Sequence, residues 1–109
     1  MPSESCTFGQ FIAKKRKELR LSQKELASKI LKEDGLPITP QYLNDIEHDR
    51  RSPSSDHLVT RFAQTLSLDR DYLFFLAGRV SPDIREKPLT PKDFKTAMVA
   101  FRKSVGIKT

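Results

Sequence analysis

A chain of 109 residues has room for one compact domain and a short appendage, and 37% hydrophobic content suits a small helical bundle. There is no apolar run near 18 residues, no basic-then-apolar signal at the N-terminus, and only Cys6, which cannot form an internal disulfide, so the expectation is a cytoplasmic protein with no membrane partner. The net charge of +6 favours a polyanionic partner but is unevenly placed: residues 1–87 hold 15 basic against 13 acidic side chains, and residues 88–109 hold five against one. Affinity for a polyanion must therefore come from local placement; the basic tail alternatively serves only solubility.

β-branched alternation is absent and helical spacing recurs. Thr7 is placed to cap a first helix reaching about Leu19, with Phe8, Phe11, Ile12 and Leu19 as its apolar stripe. Ser22 and Glu25 form an S-x-x-E capping box opening a second helix. Leu26, Ala27 and Ile30 supply its buried positions, and Asp34-Gly35 is expected to stop it. Thr39 caps a third helix with Pro40 at its first position. Leu43, Ile46 and Glu47 fall at i, i+3 and i+4 and share one face, which leaves Gln41, Asn44, Asp45 and His48 on the others. This helix ends near His48, before Asp49-Arg50-Arg51-Ser52-Pro53. A fourth helix, about Ser55 to Leu66, turns Leu58, Phe62, Ala63 and Leu66 inward. A fifth starts near Asp69, carries Tyr72, Leu73 and Leu76, and ends at Gly78. Residues 79–91, with Pro82, Pro88 and Pro91, read as a linker. Thr90 then caps a sixth helix over residues 92–105, with Phe94, Ala97, Met98, Phe101 and Val105 in one stripe.

Several motifs follow one another in order: F-G-x-x-I (Phe8 to Ile12), Arg16, L-S-Q-x-E-L-A (Leu21 to Ala27), I-T-x-x-Y-L-x-x-I-E (Ile38 to Glu47), R-R-x-P-S (Arg50 to Ser54) and F-A-x-x-L-x-L-x-x-x-Y-L (Phe62 to Leu73). The series resembles the Cro/CI-type helix-turn-helix family, also called XRE or lambda-repressor-like, over residues 7–78. The resemblance implies an all-α fold: a five-helix bundle, here with an added C-terminal helix. It makes Leu21 to Ile30 the scaffold helix and Thr39 to His48 the recognition helix. It also implies two-fold dimers on half-sites about one helical turn apart. One departure stands out. The connection from Ile30 to Ile38 is roughly half a dozen residues longer than the usual 3–4. It is expected to hold one extra helical turn and a surface loop; alternatively Lys32 reaches a phosphate or the loop touches a partner.

The resemblance places the family's backbone-contacting glutamine at Gln23, beside Lys24, where a helix N-terminus favours an anion. Thr39, Pro40 and Gln41 lead the recognition helix; a Gln amide can bond adenine N6 and N7, and a Thr methyl can pack on a thymine methyl. Asn44 can read adenine or bond a phosphate. Asp45 can accept from cytosine N4, or it pairs with Arg50 or Arg51. Tyr42 can seat its ring at the edge of the core and offer its hydroxyl to a phosphate. Arg50 and Arg51 read as phosphate contacts, with loop ion pairs to Asp49 or Asp56 as the plainer account. Arg16, despite lying in Lys14-Lys15-Arg16-Lys17, takes a structural role by the resemblance, pairing with Glu47. The neighbouring lysines read as a solvated face.

His48, His57 and Cys6 match no zinc spacing, and no phosphate loop or nucleophile motif is present, so no metal, no cofactor and no enzymatic activity are expected. The leading expectation is a sequence-specific regulator of double-stranded DNA, a repressor that binds a two-fold operator as a homodimer. Phe94, Ala97, Met98 and Phe101 are its dimerisation candidates. The alternative is an antitoxin or interaction module whose C-terminal helix binds a toxin or antirepressor protein.

Overall fold

Most helices of the chain open on a side chain able to accept from a free backbone amide. In the computed structural model, which describes residues 6–108, Thr7 caps α1 (Phe8–Glu18), Ser22 caps α2 (Gln23–Lys29) and Thr39 caps α3 (Pro40–Glu47). Ser55 caps α4 (Asp56–Leu66), Asp69 caps α5 (Arg70–Leu76) and Thr90 caps α7 (Pro91–Ser104). The single turn α6 (Pro82–Arg85) has no side-chain cap. At α1, α2 and α7 the box is complete, with Gln10, Glu25 and Asp93 reaching back to the cap residue's own N–H.

The first five helices bury their stripes against one another in a single core. Phe8 and Ile12 come from α1, Leu26 from α2, Leu43 and Ile46 from α3. α4 lies at the centre: Leu58, Val59, Phe62, Ala63 and Leu66 are all buried, and the Phe62 ring meets Phe8 edge-on at 5.7 Å. Leu73 and Phe74 of α5 close the far side. The architecture is all-α, and no strand occurs among the described residues.

Two expectations are corrected. Leu19 does not extend the α1 stripe; it is the C-cap and is 45% exposed, because Arg16 takes the inward position one turn earlier. Nor does α2 run on to Asp34-Gly35 with an extra turn. It stops at Lys29, and Ile30 is already extended. Ile38 N–H donates to the Ile30 carbonyl at 2.9 Å, Lys32 N–H to the Leu36 carbonyl at 2.8 Å, and Leu31 bridges Pro37. The long connection is thus a small hairpin. Gly35, at φ +85, supplies the left-handed residue of its turn, a conformation that Gly adopts at no steric cost. Ile30 and Ile38 flank the hairpin and are both buried, so the insertion is anchored at its base. His57 Nε2 lies 2.9 Å from the Leu31 carbonyl and ties it to α4.

α1 and α3 approach so closely that a Cβ on Gly9 would sit 2.1 Å from the Ile46 carbonyl oxygen and 2.9 Å from that of Glu47. Farther along the same contact, Arg16 grips Glu47 through two parallel bonds, Nε to Oε2 at 2.6 Å and the second guanidinium nitrogen to Oε1 at 2.9 Å. The remaining guanidinium nitrogen donates to the Leu21 carbonyl at 2.9 Å. Both charged side chains are buried, so each depends on the other for its polar partners.

After α5, residues 79–91 contain α6 and are tied to α4 by charge. Arg79 donates to Asp56 Oδ1 at 3.0 Å and to the Pro53 carbonyl at 3.0 Å, and Arg85 donates to Asp56 Oδ2 at 2.7 Å. α7 is different. None of its residues is buried. The radius of gyration of 15.8 Å exceeds the roughly 13 Å of a compact chain this long, as a protruding helix requires.

Three outcomes follow from these contacts. Gly9→Ala must push α3 off α1 against backbone atoms, and is expected to lower unfolding free energy by about 1–3 kcal/mol in urea titration. Arg16→Ala strands a buried carboxylate and is expected to cost ~3–5 kcal/mol, read as a lowered Tm; an unchanged Tm would refute the structural role. The Arg85 guanidinium, with Arg79 adding to it against a partial desolvation penalty, holds the Asp56 carboxyl below its ordinary range. A depressed carboxyl stabilises the fold above its unfolded-state value and loses that contribution as pH falls through the folded one. Asp56→Asn should therefore lower Tm at neutral pH, and the gap from the parent should close below about pH 4.

Candidate nucleic-acid interface

α3 is amphipathic in a strict sense. Leu43, Ile46 and Glu47 are buried, Gln41 and the cap residues Thr39 and His48 are exposed, and Tyr42, Asn44 and Asp45 lie between. A rod anchored along one side in this way can present its other side at a fixed angle.

Gln23, the first residue of α2, reaches across to α3. Its Nε2 donates to Asn44 Oδ1 at 3.0 Å and to Glu47 Oε1 at 2.9 Å. Both amide hydrogens are thereby engaged. In this arrangement the Gln23 side chain braces α3 from the N-terminus of α2. Asn44 uses only its oxygen in that contact, which leaves its own NH₂ with two donors. Lys24, next to Gln23, is exposed.

At the leading end of α3, the Thr39 hydroxyl accepts from Tyr42 N–H at 3.0 Å, and Pro40 is exposed beside it. Gln41 donates one amide hydrogen to Asp45 Oδ1 at 3.0 Å. Its second N–H and its carbonyl oxygen remain, the donor–acceptor pair that an adenine edge requires. Asp45, one turn beyond Gln41, is a hub. Arg50 Nε lies 3.1 Å from Oδ1 and Arg51 Nε 3.8 Å from Oδ2. The loop arginines therefore meet Asp45, while Asp49 accepts from the Thr7 hydroxyl at 2.8 Å and Asp56 holds Arg79 and Arg85. Two guanidinium groups against one carboxylate leave a local surplus of one positive charge. The arginine side chains are more than half exposed. Exposed pairs are worth about 0–1 kcal/mol, so exchanging the carboxylate for a phosphate costs little.

Tyr42 bridges the two environments. Its ring packs on the core and under the Arg51 guanidinium, 5.7 Å from the centroid, while its hydroxyl accepts from Ser54 N–H at 3.1 Å. That bond ties the basic loop to α3. The hydroxyl hydrogen is still available for an acceptor.

One basic feature beside α3 did not emerge from the sequence. Lys14 and Lys17 of α1 line an open cavity of about 350 Å³ with Gln10 and His48, along the α1 flank of α3. The signal was present in the spacing: Arg16 faces α3, and Lys14 and Lys17, three residues apart, border that face. α3 is thus bordered by cations on two sides, Arg50 and Arg51 in the following loop and Lys14 and Lys17 on the neighbouring helix. Among the described residues no three His, Cys, Asp or Glu side chains gather as a metal site, and no helix is long and apolar enough to cross a membrane.

Comparison with known proteins gives one match. A family model described as helix-turn-helix matches residues 12–73, from the middle of α1 through most of α5. No curated protein and no solved structure matches the chain. The match takes in α2, α3 and the helices that carry them, and it spans more than half of the sequence: the chain belongs to the helix-turn-helix family of the Cro/CI or XRE type, and it is a DNA-binding regulator of transcription.

Proposed function

We propose that this regulator is a repressor that binds a two-fold operator as a homodimer, reading bases with α3 and gripping phosphates with the cations at its border. The observation that carries the base-reading role is the state of Gln41. It is exposed at the leading end of α3, steadied by Asp45, and retains one donor and one acceptor. Asn44, with its NH₂ unspent, adds a second reader one turn along. Thr39 and Pro40 offer apolar contact to a thymine methyl. Arg50, Arg51, Lys14, Lys17 and Lys24 supply the phosphate contacts that set register, and Tyr42 holds the basic loop in place. Asp45 keeps two arginines near the groove wall until phosphates replace it. Repression follows from occupancy, because a bundle seated on promoter DNA excludes polymerase.

Selection from random duplexes at physiological salt tests this proposal directly, since affinity varies steeply with ionic strength. A two-fold motif with half-sites about one turn apart is the expected result; recovery of no preferred duplex would overturn it. On the selected operator, Gln41→Ala is expected to relax preference at one base pair in each half-site by ~1–3 kcal/mol, measured by competition among single-position variants. Arg51→Ala should instead weaken all duplexes alike and lower the salt slope by about one unit.

A further inference from the structure

The hairpin between α2 and α3 does more than lengthen the connection. With two other segments it encloses an open cavity of about 260 Å³. The hairpin contributes Lys32 and Pro37, the leading end of α3 contributes Thr39 and Tyr42, and the loop after α3 contributes Ser54. Ile38 and Leu58, both buried in the core, complete the lining with apolar surface. The hairpin backbone is well tied at this wall. Lys32 N–H donates to the Leu36 carbonyl at 2.8 Å, and the Lys32 carbonyl accepts from Gly35 N–H at 2.9 Å. Asp34 Oδ1 accepts from Leu36 N–H at 2.9 Å, which commits that carboxylate to the turn.

Every polar side chain around the cavity has a hydrogen to donate. The Thr39 hydroxyl accepts from Tyr42 N–H and the Tyr42 hydroxyl from Ser54 N–H, and each still carries its own hydrogen. The Ser54 hydroxyl adds a third donor. Lys32 adds a cation. Its ion pair with Asp34 spans 3.8 Å between side chains about half exposed, a contact weak enough to yield to a better partner. No carboxylate lines the cavity. Donors with one cation and no competing acid select an anion. The apolar part of the lining suits an anionic group carried on carbon better than a fully hydrated ion. The volume lies below the roughly 300–1,000 Å³ of sites for drug-sized ligands, so one small group fits rather than a whole effector molecule.

We infer that this cavity seats one phosphate of the duplex backbone, held by Lys32 and the three hydroxyls, with its deoxyribose against Pro37, Ile38 and Leu58; this deepens the reading of duplex DNA by α3 and rests on it. The position of the cavity fits that role. Residues at the leading end of a recognition helix meet base edges in the major groove, so a cavity beside Thr39 and Tyr42 lies at the groove wall, where the phosphates run. The contact is particular to this chain. A helix-turn-helix joined by the usual 3–4 residues has no place for Lys32, whereas the hairpin brings it back beside Thr39. The hairpin thus extends the protein's grip past the bases that α3 reads.

Selected operators carrying one neutral methylphosphonate linkage at a time, scanned along both strands, test the seat on the full chain. The parent should lose affinity several-fold at one linkage in each half-site, flanking the bases read by α3. In Lys32→Ala the loss at that linkage should vanish while losses elsewhere persist, and the salt slope should fall by about one unit. Lys32→Arg should restore both. Ser54→Ala, which removes only a hydroxyl, should shrink the loss at the same linkage. Both side chains are exposed, so circular dichroism should report an unchanged fold. A Lys32→Ala profile identical to the parent's at every linkage overturns the seat. Inorganic phosphate, titrated into the DNA-free chain at constant ionic strength and followed by amide NMR of residues 32–42, separates the two sources of the anion. No saturable shift is expected; a saturable shift that Lys32→Ala abolishes, beside an unchanged linkage profile, assigns the cavity to a free anion and overturns the duplex as its occupant. Failure of base reading has another signature. A parent that prefers no duplex, yet loses salt slope on random DNA through Lys32→Ala, defeats base reading and spares the seat; a parent that selects an operator with a profile blind to Lys32 does the reverse.

Discussion

The carboxylate of Glu47 is the point on which the structure turns. It sits on the inner face of the recognition helix, where burying a charge is tolerable only with full pairing. Its donors come from two other helices, Arg16 of α1 and Gln23 of α2, and Arg16 also takes the carbonyl of Leu21 in the turn between them. Three helices and one turn are fixed relative to a single group. Gly9 lets α1 lie close along α3, since a Cβ there would meet the Ile46 and Glu47 carbonyl oxygens. Hydrophobic contact alone would let α3 rotate or slide at small cost, because apolar burial has no direction. The bidentate ion pair does have direction, and it sets the angle at which Gln41 and Asn44 face outward.

This arrangement couples folding to recognition. Gln23 touches both Glu47 and Asn44, so a group that anchors the helix and a group on its outer side share one amide. Next to Asn44, Asp45 organises Gln41, Arg50 and Arg51. The outward residues are thus held by neighbours before any nucleic acid arrives, and less side-chain entropy is lost on binding. Charge near-balance in residues 1–87 has a related consequence. With 15 basic against 13 acidic residues, this part of the chain brings little net charge to a random duplex, so any phosphate contact depends on where its cations are placed.

Much of the bundle was legible from local rules. Caps and stripes are short-range features, so Thr7, Ser22, Thr39, Ser55, Asp69 and Thr90 marked helix starts without reference to the rest of the chain, and the spacing of Leu43, Ile46 and Glu47 marked the dry face of α3. Long-range partners were less accessible. Whether Asp45 meets the loop arginines depends on how the chain turns at Asp49, which is left-handed at φ 61. The cations Lys14 and Lys17 become neighbours of α3 only once α1 and α3 touch. The connection from Ile30 to Ile38 misled because its composition, Leu-Lys-Glu-Asp, favours helix, while the pairing of Ile30 with Ile38 across eight residues overrides that propensity. Leu19 misled for the opposite reason: an intact apolar period carried one step past the end of its helix.

The C-terminal segment completes the distribution of charge. Its five basic residues would ordinarily be assigned to DNA. Yet they share α7 with the apolar stripe of Phe94, Met98, Phe101 and Val105, none of it buried, which cannot remain in water at no cost. The cations beside α2 and α3 are different ones: Lys14 and Lys17 on α1, Lys24 on α2, and Arg50 and Arg51 in the loop after α3. The charge around α3 is thus supplied by the nearly balanced bundle and owes nothing to the strongly basic tail, so a substitution in α7 is expected to leave the base preference of α3 unchanged.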